Sequence, residues 1–187
     1  MKVIFLDFDG VLNGYEFFSV IGWRIACFLH IHNWYRKHTR HPYGLHKEKF
    51  RNLCKIVNAT NAKIVLSATM RFAYWNTPYN EKDETLKSLT DLCDKNHIEI
   101  IGITPKAHNR RRETEIKQWL SEHEGEVENF VILDDESADL QCFVNTHLVK
   151  TRTIVKGGSF IRKILIEKTG LRKNHVKKAI KILEGGL

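Results

Sequence analysis

The sequence predicts an α/β fold, a Rossmann-like parallel sheet flanked by helices. Three observations carry this. Short apolar runs at residues 3–6, 62–66 and 130–133 each end in a polar functional group, as strands do when a parallel sheet delivers side chains to one edge. Stretches with helical apolar spacing lie between them, such as 46–59 with Phe50, Leu53, Ile56 and Val57 in phase. The 187 residues are 42% hydrophobic, which suits one domain with a proper core.

Val3-Ile4-Phe5-Leu6 reads as the first buried strand, with Asp7 and Asp9 at its C-terminal end. Gly10 follows, where the chain can turn without a Cβ penalty. Two acids this close repel unless a cation or shared proton relieves them, and an oxygen-seeking Mg²⁺ suits the pair. A solvated acidic turn is the plainer alternative.

Residues 16–38 crowd Phe17, Phe18, Val20, Ile21, Trp23, Ile25, Phe28, Leu29 and Ile31 around Arg24. The run is too short and broken for a membrane span. It is expected to be a helix or helical hairpin lying over the site or on the core, in preference to an interfacial membrane helix. Cys27 with His30, His32, His38, His41 and His46 matches no zinc spacing.

The remaining elements follow in order. Residues 35–44 read as a loop and 46–59 as a helix. A second strand at 62–66 ends at Ser67, and an aromatic loop follows at 72–79. Such a loop can stack on bases, although packing is the commoner use. Asn80 is the expected cap of a helix to about residue 95, with Leu86, Leu89, Leu92 and Cys93 inward. Residues 98–103 form a strand and 106–112 a basic loop. Ile116, Trp119 and Leu120 are the buried stripe of a short helix, and Gly125 turns the chain into the 130–133 strand. A last strand is expected at 146–149, then a helix after Gly157-Gly158 with Phe160, Ile161, Ile164 and Leu165 inward. The final helix sets Val176, Ala179, Ile180 and Leu183 on one face and Lys173, Lys177 and Lys181 around the other.

Asp7-Phe8-Asp9-Gly10-Val11-Leu12-Asn13, then Ser67, then Arg110-Arg111-Arg112, then Asp134-Asp135 set carboxylate, hydroxyl, cation and acid pair in one order along the chain. On these motifs, spanning residues 7–139, the sequence resembles the haloacid dehalogenase (HAD) superfamily of phosphotransferases. Leu66-Ser67-Ala68-Thr69-Met70-Arg71, Arg112-Glu113-Thr114-Glu115-Ile116 and Ile132-Leu133-Asp134-Asp135-Glu136 narrow it to the HAD-type domain associated with nucleic-acid repair proteins, as does Gly170-Leu171 before the final helix. That branch usually carries Ser and Trp where this chain has Ala68 and Met70, which bears on substrate preference more than on chemistry.

The resemblance implies a Mg²⁺-dependent phosphomonoester hydrolase working through an aspartyl-phosphate. Asp7 would be the nucleophile and Asp9 the acid and base. Asp7, Asp9 (by its carbonyl) and Asp134 would hold the metal, with Asp135 supporting the metal shell. Ser67 would bind a phosphate oxygen. Arg112 is the chosen third-motif cation, with Arg110, Arg111, Lys106 and Lys117 as alternatives. Gly10, Ala68, Arg71 and Arg111 are candidate substrate-binding residues, and Asp139 is a weaker candidate for the metal shell. Residues 14–45 would be a small cap or lid within one HAD-like domain, 1–187.

Cys27, Cys54, Cys93 and Cys142 form no CxxC pair and are expected as buried free thiols in a reducing, cytoplasmic setting, with no signal peptide before the first strand. The net charge of +8 is one-sided: residues 150–187 hold eleven Lys/Arg against Glu167 and Glu184. Basic C-terminal helices suit a polyanion, and a solubilising face is the alternative. Taken with the repair-type resemblance and the small lid, this makes a nucleic-acid phosphate end the expected substrate. A phosphotyrosine or phosphoserine protein is the enzymatic alternative, and a non-catalytic nucleic-acid or membrane binding module is the alternative from another class.

Overall fold

A computed structural model describes residues 1–13, 25, 27–31, 45–152 and 169–186. Five parallel strands form one sheet: β1 (Lys2–Leu6), β2 (Lys63–Leu66), β3 (Ile100–Ile103), β4 (Asn129–Asp134) and β5 (Leu148–Lys150). Their spatial order is β3-β2-β1-β4-β5. β1 is central, and its register pairs Leu6 with Leu66 on one side and with Leu133 on the other. A register shift between Ile64 and Val65 disturbs the β2–β3 pairing. The chain runs outward from β1 in one direction and then returns to continue in the other. The switch between β1 and β4 is where ligand crevices form in such sheets.

The α-helices whose full extent lies among the described residues are α1 (Lys47–Thr60), α2 (Arg71–Asn76), α3 (Glu84–Lys95), α4 (Arg112–Glu122) and α5 (Lys173–Leu183). Strand side chains alternate between two cores, as the period of two requires. Ile4, Leu6, Ile64, Leu66, Val131 and Leu133 pack with α1, α3 and α5 through Phe50, Leu53, Leu89 and Ala179. Val3, Phe5, Val65, Ile132 and Leu148 meet Ile116 and Trp119 of α4 on the opposite face. The expected α/β sheet with helices on both faces is what the chain forms.

Local expectations needed several corrections. The aromatic segment after Ser67 is not all loop, because Arg71–Asn76 is helical and Tyr79–Glu81 is a turn of 3₁₀ helix. The third helix is capped by Asp83, whose carboxylate accepts from the N–H groups of Thr85 and Leu86, and Asn80 sits in the 3₁₀ turn instead. Two N–H groups satisfied by one charged side chain make Asp83 the stronger cap. In α5, Ile182 is fully buried, whereas Ile180 is only partly so. Cys54 and Cys93 are buried, and burial pushes the Cys93 thiol up to about 12. Cys27 and Cys142 are exposed, against the expectation of buried thiols.

Most of 16–38 and the helix expected after Gly157-Gly158 lie outside the described residues. Within 25–31, Leu29 N–H donates to Ile25 O at 2.9 Å, and Phe28 is 83% exposed. No helix among the described residues is long and apolar enough to cross a membrane.

The polypeptide returns to its start at α5. Leu171 N–H donates to Val11 O at 2.9 Å, Asn52 Nδ2 donates to Leu171 O, and Asn129 Nδ2 donates to Ile182 O at 2.7 Å. Gly170 takes φ +71°, and a Cβ there would come within 3.0 Å of Val11 O. The basic C-terminal helix is thus an integral wall of the first core.

Candidate active site

All five strands deliver a polar residue to the same edge: Asp7 after β1, Ser67 after β2, Thr104 after β3, Asp134 at the end of β4 and Thr151 after β5. The backbone ladder runs on through this edge. Asp7 N–H donates to Leu133 O, Ser67 N–H to Leu6 O, Thr104 N–H to Leu66 O and Thr151 N–H to Asp134 O, at 2.8–3.0 Å. The side chains are therefore carried on a rigid frame.

Carboxylate oxygens of Asp7, Asp134 and Asp135 lie within 4.8 Å of one another. Asp7 is raised to about 7, by burial first and then by Asp134 and Asp135, with Arg112 opposing them. Burial also raises Asp134, and it raises Asp135 to about 6 with help from Asp134. Three acids share more negative charge than Arg112 offsets. An all-oxygen cluster of this kind, short of positive charge, fits Mg²⁺.

Gly10 makes this cluster possible. Its φ is +73°, and a Cβ would fall 2.5 Å from Asp135 Cγ. Thr151 Oγ1 donates to Gly10 O at 2.7 Å and ties the turn to β5.

Asp9 stands apart from the acid cluster. It is exposed, and its Oδ1 accepts from Asn13 Nδ2 at 2.6 Å, while Asn13 Oδ1 accepts from Gly10 N–H. Its side chain is thus held by the motif's own last residue.

The third-motif cations separate clearly. Arg112 Nη1 donates to Asp134 Oδ2 and lies 3.5 Å from Asp7 Oδ1. Burial would lower the Arg112 pKa, but Asp7 and Asp134 outweigh it and hold the guanidinium charged. Arg111 is exposed and faces Glu113 at 4.0 Å, and Lys117 pairs with Glu113 at 2.7 Å. Arg112 is anchored through its backbone by Asp139, whose Oδ2 accepts Arg112 N–H at 3.0 Å and whose O accepts Glu113 N–H. Asp139 therefore serves the cation, and it is not among the three acids whose oxygens cluster.

Ser67 is fully buried, and its Oγ has no hydrogen-bond partner among the described residues. Thr104 Oγ1 is orphaned in the same way on the neighbouring strand. Leaving such a group unpaired costs about 1–3 kcal/mol, so an oxygen able to accept from either hydroxyl would be stabilised there.

Arg71 is mostly engaged already. Nε donates to Thr104 O, Nη1 to Ala68 O and Nη2 to Pro105 O, and Nη2 also lies 2.8 Å from Glu115 Oε2. Ala68 enters only through that carbonyl. Four of five guanidinium N–H groups are spent inside the protein. Neither Glu115 nor Thr104 stands out in the sequence as part of the site. An acid three residues after Arg112 looks like an ordinary solvent-facing helix residue, and a Thr before Pro105 like a turn.

No curated protein and no solved structure matches the chain. The family model for the HAD domain in Swiss Army Knife RNA repair proteins matches residues 3–155. The match contains the acid cluster, Ser67 and Arg112 and stops short of Gly170 and α5. Phosphatase-type chemistry is the general activity that such a domain implies. With its strand-end acids, parallel sheet and matched length in agreement, the chain belongs to the family of HAD domains in Swiss Army Knife RNA repair proteins.

Proposed function

We propose that this protein is a Mg²⁺-dependent phosphatase that removes phosphate from nucleic-acid ends through an aspartyl-phosphate on Asp7. The observation that carries the reading is Asp7 itself, a buried carboxylate flanked by Arg112 at 3.5 Å and by two further acids. Phosphoryl transfer depends mostly on positioning and charge neutralisation. Arg112 would steady the phosphoryl oxygens and keep Asp7 ionised. The buried Ser67 hydroxyl would donate to one of those oxygens and so gain the partner it lacks.

An Asp7 oxygen would attack phosphorus, and the bond from phosphorus to the leaving oxygen would break. Asp9 would supply the proton that the leaving oxygen needs. Asn13 holds one Asp9 oxygen, which leaves the other for this work. Asp9, now a carboxylate, would take a proton from water. That water would attack phosphorus, release inorganic phosphate and regenerate Asp7. Asp7 and Asp134, with the Asp9 carbonyl and support from Asp135, would hold Mg²⁺. The bound ion would neutralise phosphoryl charge.

The same reading takes residues 14–45 as a small lid within a single domain. Free Cys54 and Cys93 in the core accord with a cytoplasmic setting, which belongs to this proposal. Turnover of end-phosphorylated oligonucleotides, nucleotides, phosphopeptides and p-nitrophenyl phosphate, with and without Mg²⁺, tests it. Release of phosphate from oligonucleotide ends is expected. Turnover confined to phosphopeptides would replace the nucleic-acid substrate with a phosphoprotein.

A further inference from the structure

Beside the acid cluster is a cleft of about 410 Å³, lined by Thr69, Phe72, Lys106, Arg110, Arg112 and Asp139 together with Arg71 and Glu115. That volume falls within the range of small-ligand sites. Four cations border it, and they are not equivalent. Arg71 is neutralised by Glu115, and Arg112 by Asp134 and Asp7. Lys106 and Arg110 are exposed, and neither side chain has an ion pair or hydrogen bond among the described residues.

The loop that presents these two cations is pinned in place. Asn109 Oδ1 accepts Arg111 N–H, Asn109 Nδ2 donates to Thr114 Oγ1, and Ala107 N–H donates to Glu115 Oε1. Arg110 sits in left-handed backbone, φ +54°, a conformation uncommon for a side chain of its kind. Phe72 contributes a half-buried ring whose centroid lies 4.5 Å from the Arg71 guanidinium carbon.

We propose that Lys106 and Arg110 form a second anion subsite, which takes the phosphodiester next to the phosphate being removed. The inference rests on the phosphatase reading and deepens it. One terminal phosphoryl group is already met by Arg112, so two unpaired cations in the adjoining cleft suit a second anion. A polynucleotide end carries one at the neighbouring linkage, whereas a mononucleotide phosphate or a simple metabolite ester has none. The phenyl ring of Phe72 gives the sugar or base of that residue an apolar surface. Substrate choice would thus follow from counting phosphates, with no base read.

The test compares three substrates with the same terminal phosphate. They are a dinucleotide with its natural linkage, the same dinucleotide with a neutral methylphosphonate linkage, and the mononucleotide. The wild-type protein should favour the natural linkage over the neutral one by about tenfold or more in kcat/KM, as a charge-assisted contact implies. In Lys106→Gln/Arg110→Gln that preference should collapse toward unity. Equal rates on natural and neutral linkages in the wild type would overturn the subsite, without reliance on any variant. So would a preference that survives in the double variant, or a phosphopeptide turned over faster than the dinucleotide. Turnover without linkage preference defeats this inference alone. No turnover of any phosphomonoester, p-nitrophenyl phosphate included, defeats the phosphatase reading and the subsite with it.

Discussion

Arg71 Nη2 lies 2.8 Å from Glu115 Oε2, a buried ion pair that joins the start of helix α2 to helix α4. Both side chains are at least nine-tenths buried, so solvent screens the pair little. Glu115 Oε1 also accepts Ala107 N–H at 3.4 Å. The pair therefore sets the distance between the Ser67 strand end and the helix that carries Arg112.

Removing one partner should be costly. Glu115→Ala is expected to lose about 3–5 kcal/mol of stability, because it leaves a buried guanidinium unpaired. Arg71→Met/Glu115→Leu should recover part of that loss. Urea unfolding of the single and double variants checks both. A Glu115→Ala protein as stable as the wild type would show that water reaches Arg71.

Asp7→Asn should abolish turnover, by about 10⁴-fold or more, as nucleophile deletions do elsewhere. It should also stabilise the metal-free protein at pH 8. An Asp7 pKa raised from 3.8 to about 7 favours the protonated form in the fold. That favourable contribution is complete below pH 3.8 and lost as pH rises through about 7, and an amide escapes the loss. Thermal unfolding in chelator, with single-turnover phosphate release, measures the two effects. Near-normal turnover in a pure preparation would remove Asp7 from its role.

Mg²⁺ should bind more weakly as pH falls. A metal needs the Asp7 carboxylate, so each ion bound below pH 7 must release a proton. Apparent affinity is expected to drop by about tenfold per pH unit on the acid side. Calorimetric titration at pH 6 and pH 8 reads this. Full activity in excess chelator would contradict the metal assignment.

The α5 lysines give a surface prediction. Lys173, Lys177 and Lys181 are exposed, whereas Val176, Ile182 and Leu183 hold the helix to the core. Changing the three lysines to Gln should flatten the slope of log affinity against log salt for an oligonucleotide by up to about three phosphates, each contributing roughly 0.7–0.9. The fold should persist. Unchanged affinity and slope would mark the lysines as a solubilising face.

The placement of the candidate site was legible in the sequence wherever a polar residue follows a strand. Asp7, Ser67 and Asp134 each follow a short apolar run, and the parallel sheet gathers them without further help. Arg112 could be chosen among its neighbours only by resemblance, since the tie from its N–H to Asp139 spans 27 residues. No local pattern foretells such a bond. The same holds for Arg71, whose motif position suggests substrate contact and whose partners are the nearby Ala68 carbonyl, two carbonyls beyond β3 and an acid on α4. Capping failed for a subtler reason: Asn80 and Asp83 are both good caps, and only the backbone path chose Asp83.

The bond from Leu171 N–H to Val11 O has a bearing on how the protein is made. The loop that carries Asp7 and Asp9 leaves the ribosome before α5, which lies next to the segment that braces it. Until α5 has emerged, Leu53, Ile56 and Val131 lack the cover of Ala179, Ile182 and Leu183. A nascent chain halted near residue 155 would therefore hold every residue of the acid cluster and still show an open apolar face to chaperones.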